Sequence, residues 1–163
     1  MISKDMEKAI NQQINREFFS AYLYLSMATY FAEQNLDGMA SFMQMQAKEE
    51  VEHGMKMYGY LEEQGARVLL EAIEKPDSEF DGPLDIFEKS LKHEQFVTKN
   101  IHNLVDQAIK EKDHATKSFL DWFVTEQVEE ESSMDSIVNK LKMVGDKGHG
   151  LLMLDAQLGR RGE

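Results

Sequence analysis

Glu50 and His53 stand three residues apart in the stretch EEVEH (49–53), and further acids recur at Glu17, Glu94 and Glu130. A carboxylate and an imidazole at this spacing share one face of a helix, so both can converge on a single ion. Mixed oxygen and nitrogen donors with open coordination positions suit redox-active iron better than Ca or Mg, while Zn and Mn fit the same donors. A second concentration of acid is TEQVEEE (125–131), set between Phe119, Leu120, Trp122, Phe123 and Val124 on one side and Met134, Ile137 and Leu141 on the other. The remaining histidines, His93, His102, His114 and His149, read as surface or internally satisfied residues, as a lone His on a helix usually is.

Helices must position these groups. Two prolines, ten glycines and abundant Ala, Glu, Lys, Leu and Met favour an all-α chain, because unbranched side chains lose little rotamer freedom in a helix. Ser3 and Asp5 can cap a first helix running to about Phe31, and Asn35 to Gly38 form a turn. A second helix follows from about Asp37 to Gln64, stopped by Gly65. Pro76, Asp81 and Gly82 mark 66–82 as a connection, and Pro83 suits the first turn of a third helix reaching about Lys112. Asp113 caps a fourth that reaches Val144; Gly145, Gly148 and Gly150 then precede LLMLDAQLGRR, long enough for a short fifth helix at about 149–159.

The expected architecture is one domain over 1–163, with a four-helix bundle over about 4–144. Short turns make the first and second helices antiparallel, and likewise the third and fourth. The connection of about 17 residues could stretch about 55 Å at about 3.3 Å per residue, enough to run the length of the bundle. That long crossover leaves helices two and three parallel.

Steps of three and four residues pick out the inward stripes. They read Ile10, Ile14, Glu17, Ala21, Tyr24, Ala28, Phe31; then Met39, Met43, Gln46, Glu50, His53, Met57, Tyr60. The third helix gives Leu84, Phe87, Leu91, Glu94, Thr98, Ile101, Val105, Ala108 and the fourth Leu120, Phe123, Gln127, Glu130, Met134, Ile137, Leu141, Val144. Every stripe carries a Glu near its middle, and none carries a Lys or Arg. Withdrawing these carboxylates from water costs on the order of 10 kcal/mol, against a net stability of about 5 to 15 kcal/mol. Protons or metal must neutralise them.

Charge narrows the partners. A formal net charge of −12 repels nucleic acid and anionic membranes and attracts cations. With no cysteine, thiolate metal sites and disulfides are excluded. MISKDMEKAINQQ lacks a signal-peptide core and no segment has the length of a membrane span, so a cytoplasmic, soluble protein is expected.

Taken in order, NQQINREFFSAYLYLSMATYF, EEVEHGMKMYGYL, HEQF, EKDHATKSFLDWFVTEQVEEE and LDAQLG resemble prokaryotic non-haem ferritin over the whole chain. The resemblance implies a ferritin-like fold with a ferroxidase centre, in which Glu17, Glu50 and His53 hold one iron and Glu94 and Glu130 a second, with Glu50 bridging. Gln127 would line the pocket and Tyr24 would stand beside it as an electron donor; for Trp122 a redox role and core packing both stay open. Glu49, Glu126 and Glu129 match the positions of a third iron site, and Glu131 reads as solvated.

Val51 stands where bacterioferritin has a haem-binding Met, and the fourth helix has Gln127 and Glu130 in place of a second Glu-x-x-His, so haem is not expected. Lys117 and Leu120 stand where animal ferritins place channel carboxylates, and that entry route does not carry over. The implied function is iron storage and detoxification: Fe(II) oxidised by O2 or H2O2 and laid down as ferric mineral inside a shell of 24 copies. Leu151, Leu152, Leu154 and Leu158 find no place in a four-stripe core, which points to a partner surface on the fifth helix. Three rivals stand beside this reading: a di-iron enzyme acting on an organic substrate, a twelve-subunit cage, and a metal-free interaction bundle.

Overall fold

A computed structural model describes residues 1–161. It contains α1 (Lys4–Glu33), α2 (Asp37–Glu63), α3 (Pro83–Glu111), α4 (His114–Val144) and α5 (His149–Leu158). The ends follow local chemistry. Ser3 Oγ accepts the Met6 amide at 3.0 Å and Asp113 Oδ1 the Thr116 amide at 3.0 Å, satisfying donors that a helix start leaves free. Gly65, with φ +68°, follows α2 and carries the left-handed turn that ends it.

The crossover runs along α1. Asn11 Nδ2 donates to the Arg67 carbonyl at 3.0 Å, its Oδ1 accepts the Leu69 amide at 2.7 Å, and Ser26 Oγ donates to the Asp77 carbonyl at 2.6 Å. The chain therefore leaves the end of α2, passes up α1, and starts α3 beside the α1–α2 turn, where Phe87 meets Phe31 and Phe42 at 5.8 Å between ring centroids. At the opposite end Ser3, which caps α1, donates to Glu111 on α3 at 2.6 Å. Thus α3 is antiparallel to α1 and parallel to α2, as the crossover length predicts.

Two apolar clusters divide the interior. One gathers Tyr24, Phe31, Met39, Met43, Phe87, Met134 and Leu141 toward the α1–α2 turn. The other gathers Met6, Ile10, Met57, Leu61, Ile101, Leu120 and Phe123 at the far end. The polar residues that interrupt each stripe lie at the level where one cluster gives way to the other, so the polar layer is sandwiched by hydrophobic packing on both sides.

Two sequence expectations need correction. On α3 the buried face is Ile86, Phe87, Ser90, Glu94, Val97, Ile101, Leu104 and Ala108, with Leu84, Leu91, Thr98 and Val105 only half-buried, so the face that α1 and α4 cover is rotated from the expected stripe. Leu151, Leu154 and Leu158 do have a place, because α5 folds back across α2 and α4 and buries them in the first cluster, while Leu152 stays exposed. The docking is close: Asp155 Oδ1 accepts the Met39 amide at 2.8 Å, and a Cβ on Gly38 would fall 1.8 Å from the Asp155 carbonyl oxygen. No helix among the described residues is long and apolar enough to cross a membrane.

Candidate metal centre

Glu17, Glu50, His53, Glu94 and Glu130 are all buried, between 0% and 5% exposed. Each helix of the bundle delivers its acid into the layer between the apolar clusters. His53 sits beside Gly54, where a Cβ would lie 2.6 Å from the Phe18 ring, so the missing side chain lets α1 pack closely at the level of the site.

Glu17, Glu50 and His53 each bring one ligand atom to within 4.8 Å of the others, and His53, Glu126 and Glu130 do the same. The imidazole joins the two groups: Nδ1 lies 3.7 Å from Glu50 Oε2 and Nε2 3.9 Å from Glu126 Oε1. Glu17 Oε1 accepts from Gln13 Nε2 at 2.7 Å. Glu17 Oε2, by contrast, has no hydrogen-bond partner, the one buried side-chain nitrogen or oxygen among the described residues in that condition. An orphaned buried carboxylate oxygen facing other carboxylates is an expensive arrangement that a cation relieves.

Glu94 belongs to neither triad. Its Oε1 accepts the Tyr24 phenol and its Oε2 accepts Gln127 Nε2 at 3.2 Å, so two neutral donors hold it in the layer. Burial, with the Glu130 charge second, pushes the Glu94 carboxyl up to about 8. Burial likewise lifts Glu130 to about 7, against the hydrogen bond from Gln46. Glu50 is raised well above the usual carboxylate range by burial and then by Glu94 and Glu17. Burial and the neighbouring carboxylates also hold Tyr24 well above its usual value, so it remains a phenol and a donor. This is a layer of acids whose charges repel in a dry interior, the electrostatic setting that favours a divalent cation.

Outside it, Glu49, Glu126, Glu129 and Glu130 line an open pocket of about 500 Å³ together with Arg160 and Arg161. Glu49 is engaged there by Arg161 Nη2 at 2.5 Å. Glu129 is exposed, and Glu131, read from sequence as solvated, is half-buried and accepts Thr98 Oγ1 at 2.6 Å. Trp122 stands 40% exposed, edge-on to His53 at 5.4 Å between ring centroids and covered by Lys56 at 4.2 Å. His93 is satisfied, as expected, with Nε2 2.7 Å from Ser20 Oγ. Sequence reading assigned no role to Gln13, Gln46 or Arg161; the signals available were the place of Gln46 on the inward stripe of α2 and the spacing of Gln13 four residues before Glu17.

Fold and site define a helical-bundle carboxylate protein of the ferritin type. The family model described as a ferritin-like domain matches residues 7–144. Bacterial non-heme ferritin of Campylobacter jejuni is 43% identical over 155 residues, covering 95% of this chain and 93% of that protein. The same-named protein of Staphylococcus aureus is 42% identical over 161 residues, covering 99% and 97%. Among solved structures, the open pore ferritin of the archaeon Archaeoglobus fulgidus superposes with a TM-score of 0.97 at 51% identity, covering 99% of both chains. The chain belongs to the ferritin-like family, with the prokaryotic non-haem ferritins as its near-full-length relatives.

Proposed function

We propose that this protein stores and detoxifies iron, acting as a ferroxidase on Fe(II) as substrate. The observation that carries the reading is the buried layer in which Glu17, Glu50 and His53 converge while Glu17 Oε2 lacks any partner. In this reading Glu17, Glu50 and His53 receive one Fe(II), and Glu94 and Glu130 complete a second position with Glu50 between them. Each Fe(II) gives one electron to O2 or H2O2. Hard anionic oxygen donors favour Fe(III) over Fe(II), which makes that oxidation easier. Gln127 and Tyr24 orient Glu94, and Tyr24 stands where it can pass an electron to the centre. Glu49, Glu126 and Glu129 form a third, more accessible iron position through which Fe(III) leaves toward a mineral.

Storage requires a container, and the kinship with ferritins supports a homo-oligomeric shell of 24 copies, without haem, in the cytoplasm. The strong negative charge fits a cation-handling protein better than one that binds nucleic acid or membrane. Aerobic addition of Fe(II), followed by near-ultraviolet absorbance and by particle size, tests the reading. Rapid ferric absorbance retained in a particle of constant hydrodynamic radius is expected. Oxidation no faster than in buffer, or ferric precipitate outside the particle, would overturn it.

A further inference from the structure

Two guanidiniums among the described residues reach the acid layer through a buried amide: Arg16 Nη1 donates to Gln13 Oε1 at 3.3 Å beside Glu17, and Arg161 comes from beyond α5 to the outer pocket. Arg161 Nη1 donates to Gln46 Oε1 at 2.7 Å, its Nη2 donates to Glu49 Oε2 at 2.5 Å, and its Cζ lies 4.5 Å from the centroid of the Phe42 ring. Gln46, itself 1% exposed, donates its Nε2 to Glu130 Oε2 at 2.5 Å. A continuous chain therefore runs from the guanidinium through a buried amide to an acid of the inner layer. The guanidinium is delivered there by α5, whose Asp155 is tied to Met39 and whose following Gly159 lies against Gly38.

We propose that Arg161 is a tethered counter-ion of the outer pocket: it competes with an incoming metal cation for Glu49 and, through Gln46, fixes the orientation of Glu130. The inference rests on the proposed third iron position. A guanidinium and a divalent cation want the same carboxylate oxygen, and a planar fork bonded to two side chains and stacked on an aromatic ring is held in place better than a surface Lys. Metal at Glu49 must push Arg161 aside, which weakens binding there and leaves Gln46 free to reorient. The device also gives Glu49 a partner before iron arrives, and it keeps the outer position weak, which suits transit more than residence. Arg160 lines the same pocket without a side-chain bond to an acid among the described contacts, so it serves as the control.

The test is calorimetric titration of Zn2+, which is redox-silent, into the assembled full-length protein, with structures of Zn2+-soaked crystals to locate the ions. Arg161→Ala should tighten binding at Glu49 by about three- to tenfold, as expected for loss of one competing charge-assisted hydrogen bond. Arg161→Lys should give an intermediate value, Arg160→Ala little change, and Glu49→Gln should remove the difference. In the soaked wild-type crystal, the guanidinium should have left Glu49. Unchanged or weaker Zn2+ binding at Glu49 in Arg161→Ala would mean that the residue is only structural and overturn the proposal while leaving the third position standing. If Zn2+ binds at Glu49 in neither protein, the third position itself is wrong and the proposal falls with it.

Discussion

Tyr24 on α1 donates its phenolic hydrogen to Glu94 Oε1 on α3, at a level where both side chains are 0% exposed. The bond ties two helices across the acid layer and presets one carboxylate without supplying charge. Tyr24→Phe leaves that oxygen without its donor, and the metal-free protein should lose about 1–3 kcal/mol. Chemical denaturation in the presence of chelator measures it. Fe(II) oxidation should slow as well, because Glu94 is no longer held; a variant as stable and as fast as the wild type would remove Tyr24 from the site.

Burial, and after it the charges of Glu94 and Glu17, disfavour the charged form of Glu50. Glu50→Gln retains shape and deletes the ionisation. At pH 8 without metal it should stabilise the fold by about 1–3 kcal/mol, since a buried repulsion disappears. Oxidation of Fe(II) should fall at least about tenfold. This opposition between stability and activity is the pattern of a functional acid layer, and the metal-free interaction bundle predicts gain in stability with no loss.

The raised carboxyls set a pH dependence. Below about 4.3, the ordinary Glu value, these groups are protonated in folded and unfolded chains alike. Between there and about 8 for Glu94 and about 7 for Glu130, the folded chain keeps protons that the unfolded chain has released. Stability of the metal-free protein should therefore fall as pH rises through that window, by up to about 1.4 kcal/mol per pH unit for each group, and level off above it. His93, held down to about 4 by burial, opposes this fall between about 4 and 6.5, where the unfolded chain takes up a proton that the folded chain does not, so the net decline is steepest above about 6.5; Glu7 and Asp85, lowered by Lys4 and by the Asp81 amide respectively, contribute only at more acidic pH. Denaturation midpoints at pH 5, 6, 7 and 8 check the slope, and saturating Zn2+ should flatten or reverse it. A metal-free midpoint that climbs across this range contradicts the assignment.

Gly38 is where α5 meets the start of α2, and there is no space for a side chain between its Cα and the Asp155 carbonyl. Gly38→Ala should displace α5, with a loss of about 1–3 kcal/mol typical of forced overpacking. Hydrogen exchange should then accelerate in 149–158 while α1 and α3 stay protected. Since Arg161 directly follows α5, the variant should also free Glu49, which Zn2+ titration would register.

Much of the bundle is legible in the chain because burial follows helical period. Every stripe position read on α1 and α2 is buried, and on α4 all but Val144. On α3, Leu84, Leu91 and Val105 are apolar residues that flank the covered face, so residue type and spacing alone do not separate them from the core. The burial of α5 was hidden for another reason. Its leucines fit no stripe of the four-helix core, and only a close approach at Gly38 lets the helix fold onto its own chain.

By itself the amino-acid order determines that acids from all four long helices enter a dry interior with no Lys or Arg on their own stripes, since period and residue type decide which side of a helix meets water. It also determines the crossover, whose length allows a parallel return. Only the tertiary structure decided that His53 faces Glu50 with one nitrogen and Glu126 with the other, that Glu94 is held by Tyr24 and Gln127, and that Arg161 lies on Glu49. Those relations depend on the rotation of packed helices and on side-chain rotamers across gaps of a few ångströms, and neither quantity is written in the spacing of residues along one helix.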